Sequence, residues 1–163
     1  MSLDAVNSYA PIVTALIIAA TAMMSARRRL TDHLDSLLTD AGFRTFVANQ
    51  FIGKPTTDVP DLWIEIWQSA NIIGNQFESL GNMIINGLID RDIFLRGYAW
   101  VIAATWARLE KYIALLRQAE KGDELWEDFE YLTVLARAWI EVHPNSYPRS
   151  AKRILPSFEE HAV

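Results

Sequence analysis

"PDLWIEIWQSANIIGNQFESLGNMIING", residues 60–87, decides the architecture. Trp63, Ile66, Ala70, Ile73, Phe77, Leu80 and Ile84 recur at alternating steps of three and four, so they share one helical face suited to burial. Pro60 and Asp61 supply a start signal and Gly87 a stop, which predicts a helix of about twenty-five residues. An apolar stripe of that length needs a partner of the same kind.

The partner follows in the chain. Asp90 is an N-cap candidate, after which Tyr98, Ile102, Thr105, Leu109, Tyr112 and Leu116 again alternate fours and threes, predicting an antiparallel hairpin with the first helix. Gly122 is a stop and Asp123 the expected cap of a third helix, whose face is Trp126, Phe129, Thr133, Ala136 and Ile140 and which Pro144 ends. No strand pattern and no repeat of solenoid length interrupts this order, so the expected class is all-α.

Upstream, "IGKPTTDVP", residues 52–60, collects glycine, prolines and short polar residues and reads as a hinge loop. Before it, Leu30, Leu34, Leu37 and Leu38 form a stripe, with Gly42 marking a bend, in a segment expected to continue an N-terminal helix as one long rod. That helix is "YAPIVTALIIAATAMMSARRR", residues 9–29. Its uncharged part, Tyr9 to Ala26, is about eighteen residues and spans roughly 27 Å as a helix, close to the hydrocarbon thickness of a bilayer. A cleaved export signal would carry positive charge before the run, yet Asp4 precedes it and Arg27, Arg28 and Arg29 follow. The reading is a membrane span with the arginines inside and the N-terminus outside; the alternative is an alanine-rich core helix. The expected plan is therefore an anchor and basic stop at 1–29, a cytosolic extension helix at 30–51, the hinge at 52–60, a cytosolic antiparallel helical bundle at 61–143, and a basic, proline-containing tail at 144–163.

Within the anchor, Asn7, Thr14 and Thr21 recur every seven residues with Ser25 close by, and Ala15 and Ala19 have the small-xxx-small spacing that lets membrane helices approach closely. Self-association is the natural inference. The hydroxyl seam either lines a narrow water path in a small oligomer or bonds to carbonyls of its own helix.

Composition narrows the chemistry. Hydrophobic residues make up 51% of the 163 residues and charged residues 21%, and a net charge of -5 argues against a surface that tracks duplex nucleic acid. Without cysteine there is no disulfide, no thiolate nucleophile and no Cys-based zinc site. His33, His143 and His161 fall in different segments, and the seven glycines form no phosphate-binding loop. Glu65 and Glu78 would stand about 20 Å apart along one helix, too far to act as an acid/base pair. Asp90 and Asp92 are explained as cap and first-turn residues. No metal, cofactor or enzymatic activity is expected. Glu78 is instead expected to join a polar network with Asn71, Asn75, Asn82 or an arginine of the next helix.

Of the six tryptophans, most are expected in the core, with Trp67 and Trp100 left to mark a partner surface or the membrane interface. Arg149, Lys152 and Arg153 in the tail, beside Tyr147, are the best candidates for a phosphate-bearing ligand, such as a nucleotide or oligonucleotide signal; the plainer alternative is solvated surface charge.

The stretch "NQFESLGNMIINGLIDRDIFLRGYAWVIAATWARLEKYIALLR", with "WEDFEYLTVLARAW" after it, resembles a prokaryotic domain-of-unknown-function family of small proteins with an N-terminal membrane anchor. In that family a helix with an Asn-x-Phe-Glu core runs into Gly-Leu-Ile-Asp and then into a Trp-containing helix ending in an arginine. In overall plan the chain also resembles small membrane effectors of prokaryotic antiphage systems of the Hailong type, which would imply a channel controlled by a cytosolic signal. The function expected is a non-enzymatic, self-associating protein of the prokaryotic inner membrane, acting as a ligand-controlled effector or small channel. The alternative is a passive tether or scaffold recruiting a cytosolic partner.

Overall fold

The computed structural model describes residues 30, 33–54, 56 and 58–144, and every regular element among them is helical. Helical residues 33–39 form α1, followed by α2 (Ala41–Phe51), α3 (Asp61–Ile85), α4 (Arg91–Glu120) and α5 (Glu127–Val142). No helix among the described residues is long and apolar enough to cross a membrane. The run 9–29, with Asn7, Thr14, Ala15, Ala19, Thr21 and Ser25, lies outside the described residues, as do Tyr147, Arg149, Lys152 and Arg153.

The helix ends follow local chemistry. α3 starts after Pro60 and ends in a Schellman arrangement: Gly87 takes φ 68°, Leu88 N–H donates to the Met83 carbonyl at 2.8 Å and Gly87 N–H to that of Ile84 at 3.0 Å. α4 starts where Asp90 accepts from the Ile93 amide at 2.8 Å. It ends at Lys121, which adopts the left-handed conformation at φ 63° one residue before the expected glycine stop.

Three expectations are corrected. Residues 30–51 are not one rod: the helix breaks at Asp40, whose extended backbone starts α2 and whose carboxylate accepts from the amides of Gly42 (2.7 Å) and Phe43 (3.1 Å). Asp123 does not cap α5, which begins four residues later. The third concerns the hairpin. α3 and α4 approach each other closely at few positions, because α5 packs closely against both and supplies the shared wall of the core. There Phe77 of α3 stacks on Phe129 of α5 (centroids 4.6 Å apart, planes 11° apart), and Trp106 of α4 meets the same ring edge-on at 5.0 Å.

The stripes read from periodicity otherwise face inward. Ile66, Ala70, Ile73, Phe77, Leu80 and Ile84 on α3, and Ile102, Thr105, Leu109, Tyr112 and Leu116 on α4, are buried; Tyr98 is exposed and lies against Phe94. α2 closes one end of the core, where Trp63 contacts the rings of Phe43 and Phe46 at 5.7 and 5.9 Å.

Candidate functional site

The densest set of polar contacts among the described side chains surrounds the first turn of α5. Four amides at a helix N-terminus lack partners within the helix, and a preceding Ser, Thr, Asp or Asn normally satisfies one of them. Here the residue before α5 is Trp126, which offers no side-chain cap and sits in the left-handed region at φ 56°. For a bulky residue that conformation costs about 1–3 kcal/mol and persists only where the surroundings enforce it.

α3 supplies what α5 lacks. Glu78 accepts from the Phe129 amide through Oε2 at 2.9 Å and also bonds to the backbone of Asp128, so it caps α5 from another helix. One turn to either side, Asn75 accepts from the Trp126 indole N–H at 2.9 Å, and Asn82 donates to the Asp128 carboxylate at 3.2 Å. Residues 75, 78 and 82 share one face of α3, so a single helix surface reads the sequence Trp126–Phe129.

Two glycines let the surfaces meet. A Cβ on Gly74 would collide with the Trp126 ring, and one on Gly81 with the backbone carbonyl of Asp128. The other side of the junction is held by α4. Arg117 donates through Nε and Nη2 to the Leu125 carbonyl at 3.0 and 2.9 Å and pairs through Nη1 with Glu130 at 2.8 Å. Tyr112, fully buried, lies parallel to Trp126 at 6.4 Å, and its hydroxyl accepts from Asn71 at 3.1 Å.

Burial holds the Glu78 carboxyl above its ordinary range; the two backbone bonds pull it back and the neighbouring Asp128 and Glu127 push it up. Burial also raises the Tyr112 phenol far above its usual value. His33 is exposed on α1, and His143 stacks on Trp139 at the end of α5. Among the described residues no group of three or more acidic or histidine side chains could hold a metal ion. The Glu78 carboxylate is engaged by the backbone of the first turn of α5.

The partners expected for Glu78 differ from those found. Asn75 and Asn82 lie beside it, but all three residues turn to α5 instead of bonding to one another, and Asn71 belongs to the separate pair with Tyr112. Trp100 is 57% exposed on α4. Trp67 is half-buried against the core, and its buried indole N–H has no hydrogen-bond partner among the described residues. Periodicity and capping rules miss the contact roles of Gly74, Gly81 and Arg117. Their one local signal is a third helix whose first turn carries Glu127, Asp128 and Glu130 with no capping residue immediately before it.

The junction lies within a region shared with a known family. The model of DUF4760, described as a domain of unknown function, matches residues 10–139, from within the N-terminal apolar run to the last turns of α5. No curated protein and no solved structure matches the chain.

Proposed function

The chain belongs to the DUF4760 family, and from that premise we propose that it is a non-enzymatic membrane protein that works by self-association, with residues 9–26 as the span and the helices described above as its cytosolic head. The observation that carries this reading is the outer face of α4. From Gly97 to Ala107 the helix has no charged residue, and Ile93 and Trp100 on that face are 75% and 57% exposed. A helix that is apolar on its outer as well as its inner side is suited to being covered by something else. Asn75, Glu78 and Asn82 of α3, by contrast, are committed to α5, which favours an interaction module over a reaction centre.

Its preferred role is a ligand-controlled effector or small channel of the inner membrane, of the kind used in antiphage defence, with Arg149, Lys152 and Arg153 as the phosphate-binding group. The arginines at 27–29 following the uncharged run support the topology. A tether or scaffold recruiting a cytosolic partner through α4 is the second reading, favoured by the same exposed face. Reporter fusions at each end test the anchor: the C-terminal reporter is expected to be active only in the cytoplasm, and a full-length chain that stays soluble overturns it. Reversing Arg149, Lys152 and Arg153 to glutamate separates the two roles. Loss of nucleotide binding and of ion leakage supports the effector, whereas unchanged behaviour leaves the scaffold.

A further inference from the structure

Asn86 is the one asparagine in the sequence that glycine follows. Such a pair can react with itself in water without an enzyme. The Gly87 nitrogen gives up its proton to base and forms a bond to the Asn86 side-chain carbon Cγ, while the bond from Cγ to Nδ2 breaks and that nitrogen takes a proton from solvent and leaves as ammonia. Water then opens the five-membered imide at either of its carbonyls. One opening gives aspartate; the other gives isoaspartate, with the main chain rerouted through the side chain. Glycine speeds the closure because it has no Cβ to obstruct the attacking nitrogen.

The fold holds the two reacting atoms apart at the end of α3. Gly87 N–H donates to the Ile84 carbonyl at 3.0 Å, and Leu88 N–H closes the turn onto that of Met83 at 2.8 Å. The Asn86 side chain is drawn the other way, one turn back along the helix: its Nδ2 donates to the Asn82 carbonyl at 2.8 Å and to the Asn82 Oδ1 at 3.3 Å. The nucleophilic nitrogen therefore keeps its proton in a hydrogen bond, and the amide it must attack is turned toward the preceding helical turn. Both residues are exposed, and a Cβ on Gly87 would meet nothing within 4 Å, so base and water have access as soon as these bonds break. We propose that Asn86–Gly87 is a spontaneous deamidation site gated by opening of the α3–α4 turn, so that each reaction records an opening irreversibly.

The product acts back on the turn. Either form places a new carboxylate at the C-terminal end of α3, where the helix dipole disfavours negative charge, and four residues before the Asp90 carboxylate that caps α4. Isoaspartate also lengthens the main chain by one methylene inside the turn, which takes the Leu88 N–H out of register with the Met83 carbonyl. Asn71, Asn75 and Asn82 lie inside α3 and precede Ile72, Gln76 and Met83, whose side chains obstruct the same closure, so they supply a background within one chain.

The full chain, purified in detergent, is held in mildly alkaline heavy-oxygen water with and without urea, and the tryptic peptide ending at Arg91 is followed by mass spectrometry, with fragmentation locating each converted asparagine. In urea Asn86 is expected to convert well ahead of Asn71, Asn75 and Asn82. In the folded chain it should convert roughly 10-fold to 100-fold more slowly than in urea, the protection expected of a few hydrogen bonds at a helix end. Amide exchange at Gly87 measures the open fraction independently and should match the ratio of the two rates. Leu88→Pro removes the donor to Met83 at a position 69% exposed and leaves the Asn-Gly pair intact, so it should raise the folded rate several-fold relative to the rate in urea, with helix content checked by circular dichroism. Equal rates with and without urea in the parent would overturn the proposal, because the turn would then give no protection. So would a ratio that disagrees with the Gly87 open fraction, a folded rate that Leu88→Pro leaves unmoved, or conversion in urea no faster at Asn86 than at Asn75.

Discussion

The face of α3 that meets α5 and the outer face of α4 both combine glycine with large apolar neighbours, but only the first has a partner among the described residues. On α3, Gly74 and Gly81 are flanked by Asn75, Glu78 and Asn82, each with a specific acceptor or donor to satisfy on α5. On α4, Gly97 and Ala104 are flanked by Trp100 and Ile93, with few polar groups to impose a single register. The difference shows how polar satisfaction fixes one partner where apolar complementarity alone would admit several.

Substituting the glycines should separate the two faces most strongly. Gly81→Ala forces a methyl group into the Asp128 carbonyl, which cannot rotate away as a side-chain tip would, and is expected to cost about 3 kcal/mol by denaturant titration. A loss below ~1 kcal/mol would mean that α5 slides readily and that the junction is not closely fitted.

Next in size is Glu78→Ala, which leaves the first turn of α5 uncapped and should cost about 2 kcal/mol. Glu78→Gln keeps one acceptor and should cost less than ~1 kcal/mol near neutral pH. Because burial raises the Glu78 pKa in the folded chain, its contribution is fully present below the unfolded pKa and diminishes as pH rises through the folded value. The stability of the parent relative to Glu78→Gln should therefore fall with rising pH across and just above the ordinary carboxylate range. A flat or rising difference would mean that desolvation does not dominate at this carboxylate.

The smallest effect has the opposite sign. Gly97→Ala meets open space and replaces glycine in a helix interior, so it should stabilise the chain by about 1 kcal/mol in thermal or denaturant unfolding. A destabilisation would mean that Gly97 is already in close contact within its own chain.

Much of this fold is legible in the sequence because helical stripes are local. Apolar steps of three and four place the three long helices, and Asp90 and Gly87 mark helix ends for chemical reasons that need only a few neighbouring residues. What escapes is non-local. Asp123 is a reasonable local cap for α5, but the true cap is a carboxylate 51 residues before the amide it receives. Periodicity shows that α3 and α4 each have an inward face without showing that α5 packs against both. Glu78 stands out beside the core residue Phe77 as a half-buried carboxylate, whereas its partners depend on how two helices cross. The break falls at Asp40 rather than at Gly42, the more conspicuous punctuation, because the aspartate makes the bonds.

The central claim, that α3 caps α5 in trans, is tested most directly by amide hydrogen exchange at Phe129. The Phe129 amide is expected to be strongly protected in the parent and to exchange roughly 10-fold to 100-fold faster in Glu78→Ala, corresponding to a local loss of about 1.4–2.7 kcal/mol, while the Thr133 amide in the α5 interior keeps most of its protection. Exchange at Phe129 that is already fast in the parent, or unchanged by the substitution, would contradict the account.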